Sequence, residues 1–206
     1  MKKALQIVKY STLLIVLFLV GFYFYVKNYW KDIYDESELN SFITEVKSAD
    51  DLPEKFYDLY EIEYESLFKS FNSYALTEIL HSQYKEKPPS AWASRIFIVL
   101  SKKQLYRYPF KLTEISLIWE IEKRTSQREC LNWITEKYDF LNQAKGIKKA
   151  SQIYFQKKTE NLNDYELATL VIMLKNASLY NPFRRQVLID KKVDELLKKR
   201  KLSYEE

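Results

Sequence analysis

Two short segments carry side chains that could take part in acid–base or ionic chemistry. Residues 61–65 read EIEYE, which places carboxylates on both sides of Tyr64, and Lys111 precedes Glu114 by three positions. A carboxylate can remove a proton from a reacting hydroxyl, and a cation can stabilise negative charge that develops beside it. Residues three apart share one face of a helix, so Lys111 and Glu114 either face a substrate or form a solvated ion pair.

The residues that would hold a metal or form a disulfide are scarce. His81 is the single histidine and Cys130 is the single cysteine. One cysteine cannot close an internal disulfide, and one histidine cannot supply a zinc site with several histidine ligands. We therefore expect no bound zinc and place no metal ligand on these residues.

The composition favours a folded and mainly α-helical protein. Hydrophobic residues make up 47% of the chain and aromatic residues 16%, which argues against disorder. Only two glycines occur, so the chain has few residues that favour the tight turns of β-hairpins. The region after the apolar N-terminal segment is long enough for one compact domain.

An apolar run near the N-terminus predicts a membrane anchor. Residues 10–26 read YSTLLIVLFLVGFYFYV, without charge and close to the shortest length that crosses a bilayer. Lys2, Lys3 and Lys9 precede the run, and basic residues favour the cytoplasmic side, so the N-terminus is expected inside. The aromatic end of the run lacks a small-residue cleavage pattern, which favours a retained anchor over a removed signal peptide. A buried core helix is the alternative interpretation.

The chain is expected to have four parts. These are a short cytoplasmic tail at 1–9, a transmembrane anchor at 10–27, a polar linker at 28–51 and an extracytoplasmic helical domain at 52–206. Hydrophobic periodicity predicts helices in that domain at 54–84, 90–104, 111–124, 126–142, 146–157, 163–177 and 183–200.

The clearest single helix signal begins at Asn163. Glu166 follows three positions later, which is the spacing of a capping box, and the apolar stretch LATLVIML comes next. That stretch is apolar on nearly every face, so the helix should be buried or face lipid. Further on, the residue before a proline is disfavoured in helical geometry, so Asn181-Pro182 should end a helix and turn the chain.

The C-terminal half of the chain resembles the glycosyltransferase family 51 domain, the peptidoglycan transglycosylase of monofunctional enzymes and class A penicillin-binding proteins. The last block of that family typically reads Gly-Ile-Glu-x-Ala-x-x-x-Tyr-Phe-Gly-Lys, then Leu-x-x-x-Glu-x-Ala, then Tyr-Asn-Pro and Arg-Arg. The matching residues here are Gly146, Ile147, Ala150, Tyr154, Phe155, Lys157, Leu162, Glu166, Ala168, Tyr180, Asn181, Pro182, Arg184 and Arg185. The resemblance implies a single lysozyme-like helical domain in which Glu166, Tyr180, Asn181 and Pro182 have structural roles.

The resemblance extends upstream of this block. The segment FKLTEISLIWEIEKRTSQRECL is similar to the family's Arg-Lys-x-x-Glu motif and the helix that follows it, with Lys111 and Glu114 in their places. The stretch LPEKF at residues 52–56 is similar to the family's Leu-Pro entry. The likeness therefore covers about residues 52–190.

The resemblance implies a chemistry. In this family a glutamate acts as general base on the 4-hydroxyl of an acceptor lipid II, a lipid diphosphate leaves, and basic residues with a divalent ion bear the diphosphate charge. By this likeness Ser90 and Lys111 would bind substrate, and Glu114 would be a second or vestigial glutamate. The implied ligand is lipid II or another undecaprenyl-diphosphate-linked glycan, and Mg²⁺ or Mn²⁺ would be needed only by an active enzyme.

The sequence departs from the family pattern at the reacting residues. The family's first motif begins with the base, and YESLFKSF places Tyr64 there, with Glu65 as the alternative carboxylate. Tyrosine is a poor base near neutral pH, and one step along a helix turns a side chain by about 100°. In the second motif only Ser90 remains, Ile98 replaces a lysine, and Phe110 replaces the arginine of the third.

Together these features predict a transglycosylase-like protein in the cytoplasmic membrane of a bacterium, with one membrane pass. We expect it to be catalytically inactive and to act as a binding or scaffolding component beside cell wall synthesis proteins. A divergent but active transglycosylase is the alternative, and a binder of the lipid carrier is a third hypothesis. Nucleic-acid binding is not expected, because no recognisable module is present and the domain is expected outside the cytoplasm.

Overall fold

The computed structural model describes residues 2–65, 67, 69–75, 86–101, 103 and 109–203. Its helices are α1 (Lys2–Asn28), α2 (Glu36–Lys47), α3 (Glu54–Tyr64), α4 (Pro89–Leu100), α5 (Phe110–Arg124), α6 (Gln127–Lys137), α7 (Ile147–Phe155), α8 (Asp164–Lys175) and α9 (Pro182–Ser203), with 3-10 segments at Tyr29–Asp32 and Thr159–Asn161. Within the described residues, extended pairing is limited to one β-bridge between Asp139 and Lys145. The predicted mainly helical fold is confirmed.

Helix α1 contains the predicted anchor. The stretch Gln6–Asp32 is long and apolar enough to cross a membrane, and the apolar window within it is not buried by the rest of the chain. Its large side chains, from Ile7 to Tyr25, are mostly about half exposed or more. Such an unpartnered apolar surface is what a membrane-spanning helix presents to lipid.

The end of α1 is joined to the helical domain through Ser116 on α5. The Ser116 hydroxyl donates to the carbonyl oxygen of Lys27 at 3.2 Å and accepts from the main-chain N–H of Trp30 at 2.9 Å. This satisfies main-chain groups at a helix end, where intrahelical partners are missing. Trp30 is buried, and the ring of Tyr23 lies 5.7 Å from that of Trp119. Helix α1 therefore continues directly into the domain.

The prediction of a linker at 28–51 is wrong for its central part, because residues 36–47 form helix α2. Asp35 caps this helix in a capping box with Glu38. Its buried residues are Leu39, Phe42, Ile43 and Val46. Their spacing forms one apolar helix face, which packs mainly against α6. Polar residues separate these apolar positions in the sequence, so the segment resembles a polar linker.

The predicted helix at 54–84 is also shorter than expected. Helix α3 ends at Tyr64, and Glu65 adopts a left-handed conformation with φ 50°. Such a residue closes a helix. Residues 71–75 form a separate helical segment, while 76–84 lie outside the described residues. The predicted helix at 126–142 likewise ends at Lys137.

The buried side chains form two clusters. The first core cluster is built by α3, α7, α8 and α9 and includes Phe56, Tyr60 and Val171. The second core cluster joins the 3-10 segment at Tyr29–Asp32 to α2, α4, α5 and α6, and includes Trp30. Trp92 of α4 packs against both clusters, so α4 lies at their boundary.

Helix α8 confirms the strongest local prediction. The Asn163 side chain accepts from the main-chain N–H of Glu166 at 2.9 Å, and the Glu166 carboxylate accepts from that of Asn163 at 2.8 Å. Every residue from Leu167 to Leu174 is buried. The capping box therefore starts a helix that is enclosed by the first core cluster, as its all-round apolar sequence predicts.

Candidate functional site

A cavity of about 470 Å³ lies at the boundary between the two clusters. Its aromatic lining residues are Tyr60, Tyr64, Tyr74 and Trp92, its basic ones are Lys87, Arg95, Lys111 and Lys175, and the rest are Glu86, Ala91 and Leu174. Within the described lining, four cations thus face one carboxylate. A concave site with aromatic walls and an excess of basic groups suits a ligand that carries negative charge.

Helix ends position these side chains. Tyr60 and Tyr64 lie one turn apart in the last part of α3, so their rings share one face. Helix α4 starts at Pro89, a favoured first position because its fixed φ fits a helix, and its first two turns carry Trp92 and Arg95. Lys111 comes from the first turn of α5. The cavity is therefore assembled from segments distant in sequence.

Tyr64, at the predicted position of the catalytic base, is held by packing. Its hydroxyl donates to the carbonyl oxygen of Val171 at 3.0 Å, and its ring stacks on Tyr60 with centroids 4.4 Å apart. Burial raises the pKa of Tyr64 well above its usual range, and the nearby Glu63 and Glu86 add to the effect. The phenol therefore stays protonated at neutral pH and cannot accept a proton from a substrate.

Glu114, the predicted second glutamate, is buried beside the cavity and ion-paired. Its Oε1 accepts from Arg95 Nε at 3.2 Å and Nη2 at 2.9 Å, and its Oε2 lies 3.5 Å from Lys111 Nζ. Only 3% of Glu114 is exposed, so these two cations are its partners in a buried ion pair. The structure thus brings the predicted residues Lys111 and Glu114 together, and adds Arg95.

The carboxylates around Tyr64 have other partners. Glu61 accepts from the main-chain N–H of Leu67 at 2.6 Å. Glu63 lies 3.5 Å from Lys175 Nζ. Glu65, the predicted alternative carboxylate, follows the helix end, is exposed, and lies 4.0 Å from Lys69. None of these three lines the cavity.

Ser90 is placed in a hydrogen-bonded cluster behind the cavity. Its hydroxyl donates to Glu122 Oε1 at 2.8 Å and accepts from Gln127 Nε2 at 3.0 Å. Glu122 Oε1 also accepts from the main-chain N–H of Phe71 at 2.8 Å. Ser90 is 1% exposed and is not a lining residue. In this arrangement it links α4, α5 and α6.

The residues predicted to be structural lie away from the cavity. Besides capping α8, Glu166 accepts from Lys157 Nζ at 2.8 Å. Buried Asn181 accepts from the main-chain N–H of Phe183 at 3.0 Å through its side chain. Pro182 opens α9, and Tyr180 packs against the first core cluster. Tyr-Asn-Pro thus forms the turn between α8 and α9.

Sequence reasoning missed three of the four cations, namely Lys87, Arg95 and Lys175. Ile98, at the position where the resemblance implies a lysine, is buried in the second core cluster. Arg95 precedes it by three positions, about one helical turn, and that spacing could have found it. Lys175 could be recognised only once the last turn of α8 was placed beside α3.

The described cavity lining does not fit a divalent ion. Mg²⁺ and Mn²⁺ prefer carboxylate and carbonyl oxygens. Glu86 is the one lining carboxylate in the described part of the chain, and it lies 3.7 Å from Lys175 Nζ. No group of three histidine, cysteine, aspartate or glutamate residues among those described could hold a metal.

The sequence is similar to a known family and to known proteins. A model of the transglycosylase family matches residues 75–201, more than half of the chain. Penicillin-binding protein 4 of Bacillus subtilis (strain 168) is 28% identical over 135 residues, covering 63% of this chain and 22% of that protein. Penicillin-binding protein 1A of Pseudomonas aeruginosa is 27% identical over 144 residues, covering 68% of this chain and 16% of that protein. The chain spans less than a quarter of the length of either relative.

The helical fold and the aromatic, cationic cavity thus occur in a chain that matches one family model over more than half of its length. The chain belongs to the transglycosylase family, whose domain is lysozyme-like and helical. The match begins at residue 75 and does not include the segment at 64–71. The assignment of Tyr64 to the base position therefore stays a prediction.

Proposed function

We propose that the protein is a membrane-anchored, catalytically inactive relative of the peptidoglycan transglycosylases that binds a lipid-linked glycan diphosphate. The observation that carries this proposal is the bond from the Tyr64 hydroxyl to the Val171 carbonyl oxygen. A tyrosine that donates its proton into the core does not act as a general base. Polymerisation of lipid II needs a general base that removes the proton of the acceptor hydroxyl.

The pairing of the nearby carboxylates supports inactivity. Glu114 is bound by Arg95 and Lys111, and Glu63 and Glu86 lie within ion-pair distance of Lys175. A carboxylate whose oxygens already pair with cations has fewer acceptor positions left for a substrate hydroxyl. We therefore assign these carboxylates to the orientation of cations.

The cationic lining supports a role in binding. Lys87, Arg95, Lys111 and Lys175 can attract a diphosphate, and the ring of Trp92 offers an apolar surface. Ligand binding needs no proton transfer, so it can persist after the base is lost. The ligand class is that of the family, lipid II or an undecaprenyl-diphosphate-linked glycan.

The anchor gives the domain access to such a lipid. We propose that α1 crosses the cytoplasmic membrane once, with the basic residues Lys2, Lys3 and Lys9 inside and the domain outside. The Ser116 bonds to Lys27 and Trp30 hold the domain against the end of α1. The cavity would then stay close to the bilayer, where it could present a lipid-linked glycan to cell wall synthesis proteins.

A divergent active enzyme is the second candidate function. The observation in its favour is that Glu114 lies beside the cavity with two cations next to it. If a bound diphosphate drew Arg95 and Lys111 away, Glu114 could accept a proton. In that case the chain would turn over lipid II rather than only hold it.

Binding and turnover can be measured together on the full chain. Detergent-solubilised protein is titrated into fluorescent lipid II with Mg²⁺ present, anisotropy reports binding, and the sample is then separated on a gel. The proposal expects saturable binding with all label recovered as lipid II. Absence of saturable binding would contradict a binding function, and glycan strands on the gel would favour the enzyme.

A further inference from the structure

The contact between Arg95 and Glu114 fixes the position of a guanidinium at the cavity wall. Glu114 Oε1 accepts from Arg95 Nε at 3.2 Å and from Nη2 at 2.9 Å. The Glu114 side chain is only 4% exposed, whereas that of Arg95 is 48% exposed. A buried carboxylate that receives two bonds from one guanidinium limits how that group can turn. Arg95 is thus oriented before any ligand arrives.

Part of the Arg95 guanidinium remains available. The group carries five N–H donors, and Glu114 accepts from two of its nitrogens. No residue in the described part of the chain accepts from Arg95 Nη1, and Arg95 lines the cavity. Donors on the far edge of the group can therefore reach a ligand without breaking the bond to Glu114.

A second cation is held at the same carboxylate. Lys111 Nζ lies 3.5 Å from Glu114 Oε2, its side chain is 73% exposed, and it also lines the cavity. Two positive groups around one buried negative group leave an excess positive charge at this wall. A planar guanidinium beside an ammonium group matches a phosphate, which offers several oxygens to both.

We propose that Arg95, oriented by Glu114, binds a phosphate oxygen of the ligand, so that Glu114 is a positioning residue for a cation. This inference rests on the proposed function as a binder of a lipid-linked diphosphate. Lys111 completes the subsite from α5, so binding joins α4 to α5.

The test uses the full chain in detergent micelles and three probes: undecaprenyl diphosphate, undecaprenol and inorganic diphosphate. Arg95→Gln removes the charge, and Arg95→Lys keeps it but loses the planar fork. The matched control is Arg128→Gln, because Arg128 Nη1 pairs with Glu54 at 2.9 Å and is not a lining residue. We expect Arg95→Gln to weaken undecaprenyl diphosphate binding at least tenfold, since a charged hydrogen bond is lost. The affinity of Arg95→Lys for undecaprenyl diphosphate should lie between those of Arg95→Gln and the unmodified protein. The affinity of the control should equal that of the unmodified protein.

The double variant Arg95→Gln/Glu114→Gln separates binding from folding. Arg95→Gln alone leaves a buried carboxylate with one fewer partner and could disturb the fold, whereas the double variant removes that charge. The inference expects the double variant to bind undecaprenyl diphosphate as weakly as the single one, while undecaprenol binding is unchanged in both. Recovery of diphosphate binding in the double variant would overturn the inference.

The remaining outcomes distinguish the inference from the function on which it rests. If the unmodified protein prefers undecaprenyl diphosphate to undecaprenol but Arg95→Gln keeps that preference, the inference is wrong and the proposed function stands. If the unmodified protein has no such preference, both fail. Binding of inorganic diphosphate that is also lost in Arg95→Gln supports the inference and shows that a free phosphate compound suffices.

Discussion

The hydroxyl of Tyr64 donates a hydrogen bond to the main-chain carbonyl oxygen of Val171 at 3.0 Å. This bond joins the last turn of α3 to α8, and both residues belong to the first core cluster. The side chain at the predicted base position therefore contributes to packing. An environment that suits a buried phenol does not suit a carboxylate, because an unpaired buried charge is unfavourable.

The first prediction concerns the cap of α8. Asn163→Ala removes the side-chain oxygen that accepts from the N–H of Glu166, so the free energy of unfolding should fall by about 1 kcal/mol. Chemical denaturation followed by circular dichroism measures this change. Asn161→Ala, at an exposed position in the preceding 3-10 segment, serves as the control and should alter stability by less than about 0.5 kcal/mol. Equal effects of the two changes would refute the capping role.

The second prediction concerns the turn before α7. Gln143 is exposed and has φ 66°, a left-handed conformation that costs a residue with a side chain about 1–2 kcal/mol. Glycine adopts it freely but loses more backbone entropy on folding, so Gln143→Gly should stabilise the fold by up to about 1 kcal/mol. The control, Gln152→Gly, changes an exposed residue inside α7 and should destabilise it by about 1 kcal/mol. Denaturation midpoints compare them, and destabilisation by both would contradict the account.

The third prediction concerns alkaline pH. Burial raises the pKa of the Cys130 thiol to about 12 and raises the pKa values of Tyr57, Tyr64 and Tyr138 above 10.0. The folded state thus keeps protons that the unfolded chain releases, so the stability from these groups is complete at neutral pH and is lost as pH rises above about 9.

Urea denaturation between pH 7 and pH 11 tests this dependence. The free energy of unfolding should decline progressively above about pH 9. Cys130→Ala should make the decline shallower, because one of the titrating groups is gone. A profile that is flat to pH 11 would show that these groups are not buried in solution.

The sequence carried enough information to predict the helices whose signals are local. The capping box at Asn163 and Glu166 and the apolar stretch after it predict α8, because both act within one or two helical turns. The glycine at 146 has φ 85°, and a Cβ there would lie 2.8 Å from the carbonyl oxygen of Glu136. A glycine matched to the family pattern thus stands where the backbone requires it.

The missed features depend on contacts between distant segments. Helix α2 was assigned to a linker because its apolar face is recognisable only when it has α6 to cover it. The place of Arg95 depends on Glu114, which lies on the next helix. The sequence suggests that Tyr64 stands at the position of a base. It does not show the hydrogen bond from Tyr64 to Val171, because Val171 lies on the distant helix α8. Tertiary contacts of this kind leave no local pattern.

The fourth prediction concerns membrane orientation. Because Lys2, Lys3 and Lys9 precede the apolar part of α1, the domain should lie outside the cytoplasm. Alkaline phosphatase fused after Glu206 should be active, and a reporter that fluoresces only in the cytoplasm should be dark at the same site. Replacing the three lysines by glutamate provides the matched comparison and should reduce phosphatase activity. An inactive phosphatase fusion with a bright fluorescent one would reverse the orientation.

Gel separation of labelled glycan strands shows whether the protein polymerises lipid II, and we expect that it does not. Purified full-length protein is incubated with labelled lipid II and Mg²⁺ beside an authentic transglycosylase. We expect no ladder from the unmodified protein, because a reaction that lacks its general base is slower by about a hundredfold to ten-thousandfold. We also expect none from Tyr64→Glu, because the resemblance implies that Ile98 and Phe110 stand where the family has two cations. A ladder from the unmodified protein would contradict this expectation, and its loss in Glu114→Gln would show that turnover depends on the Glu114 carboxylate.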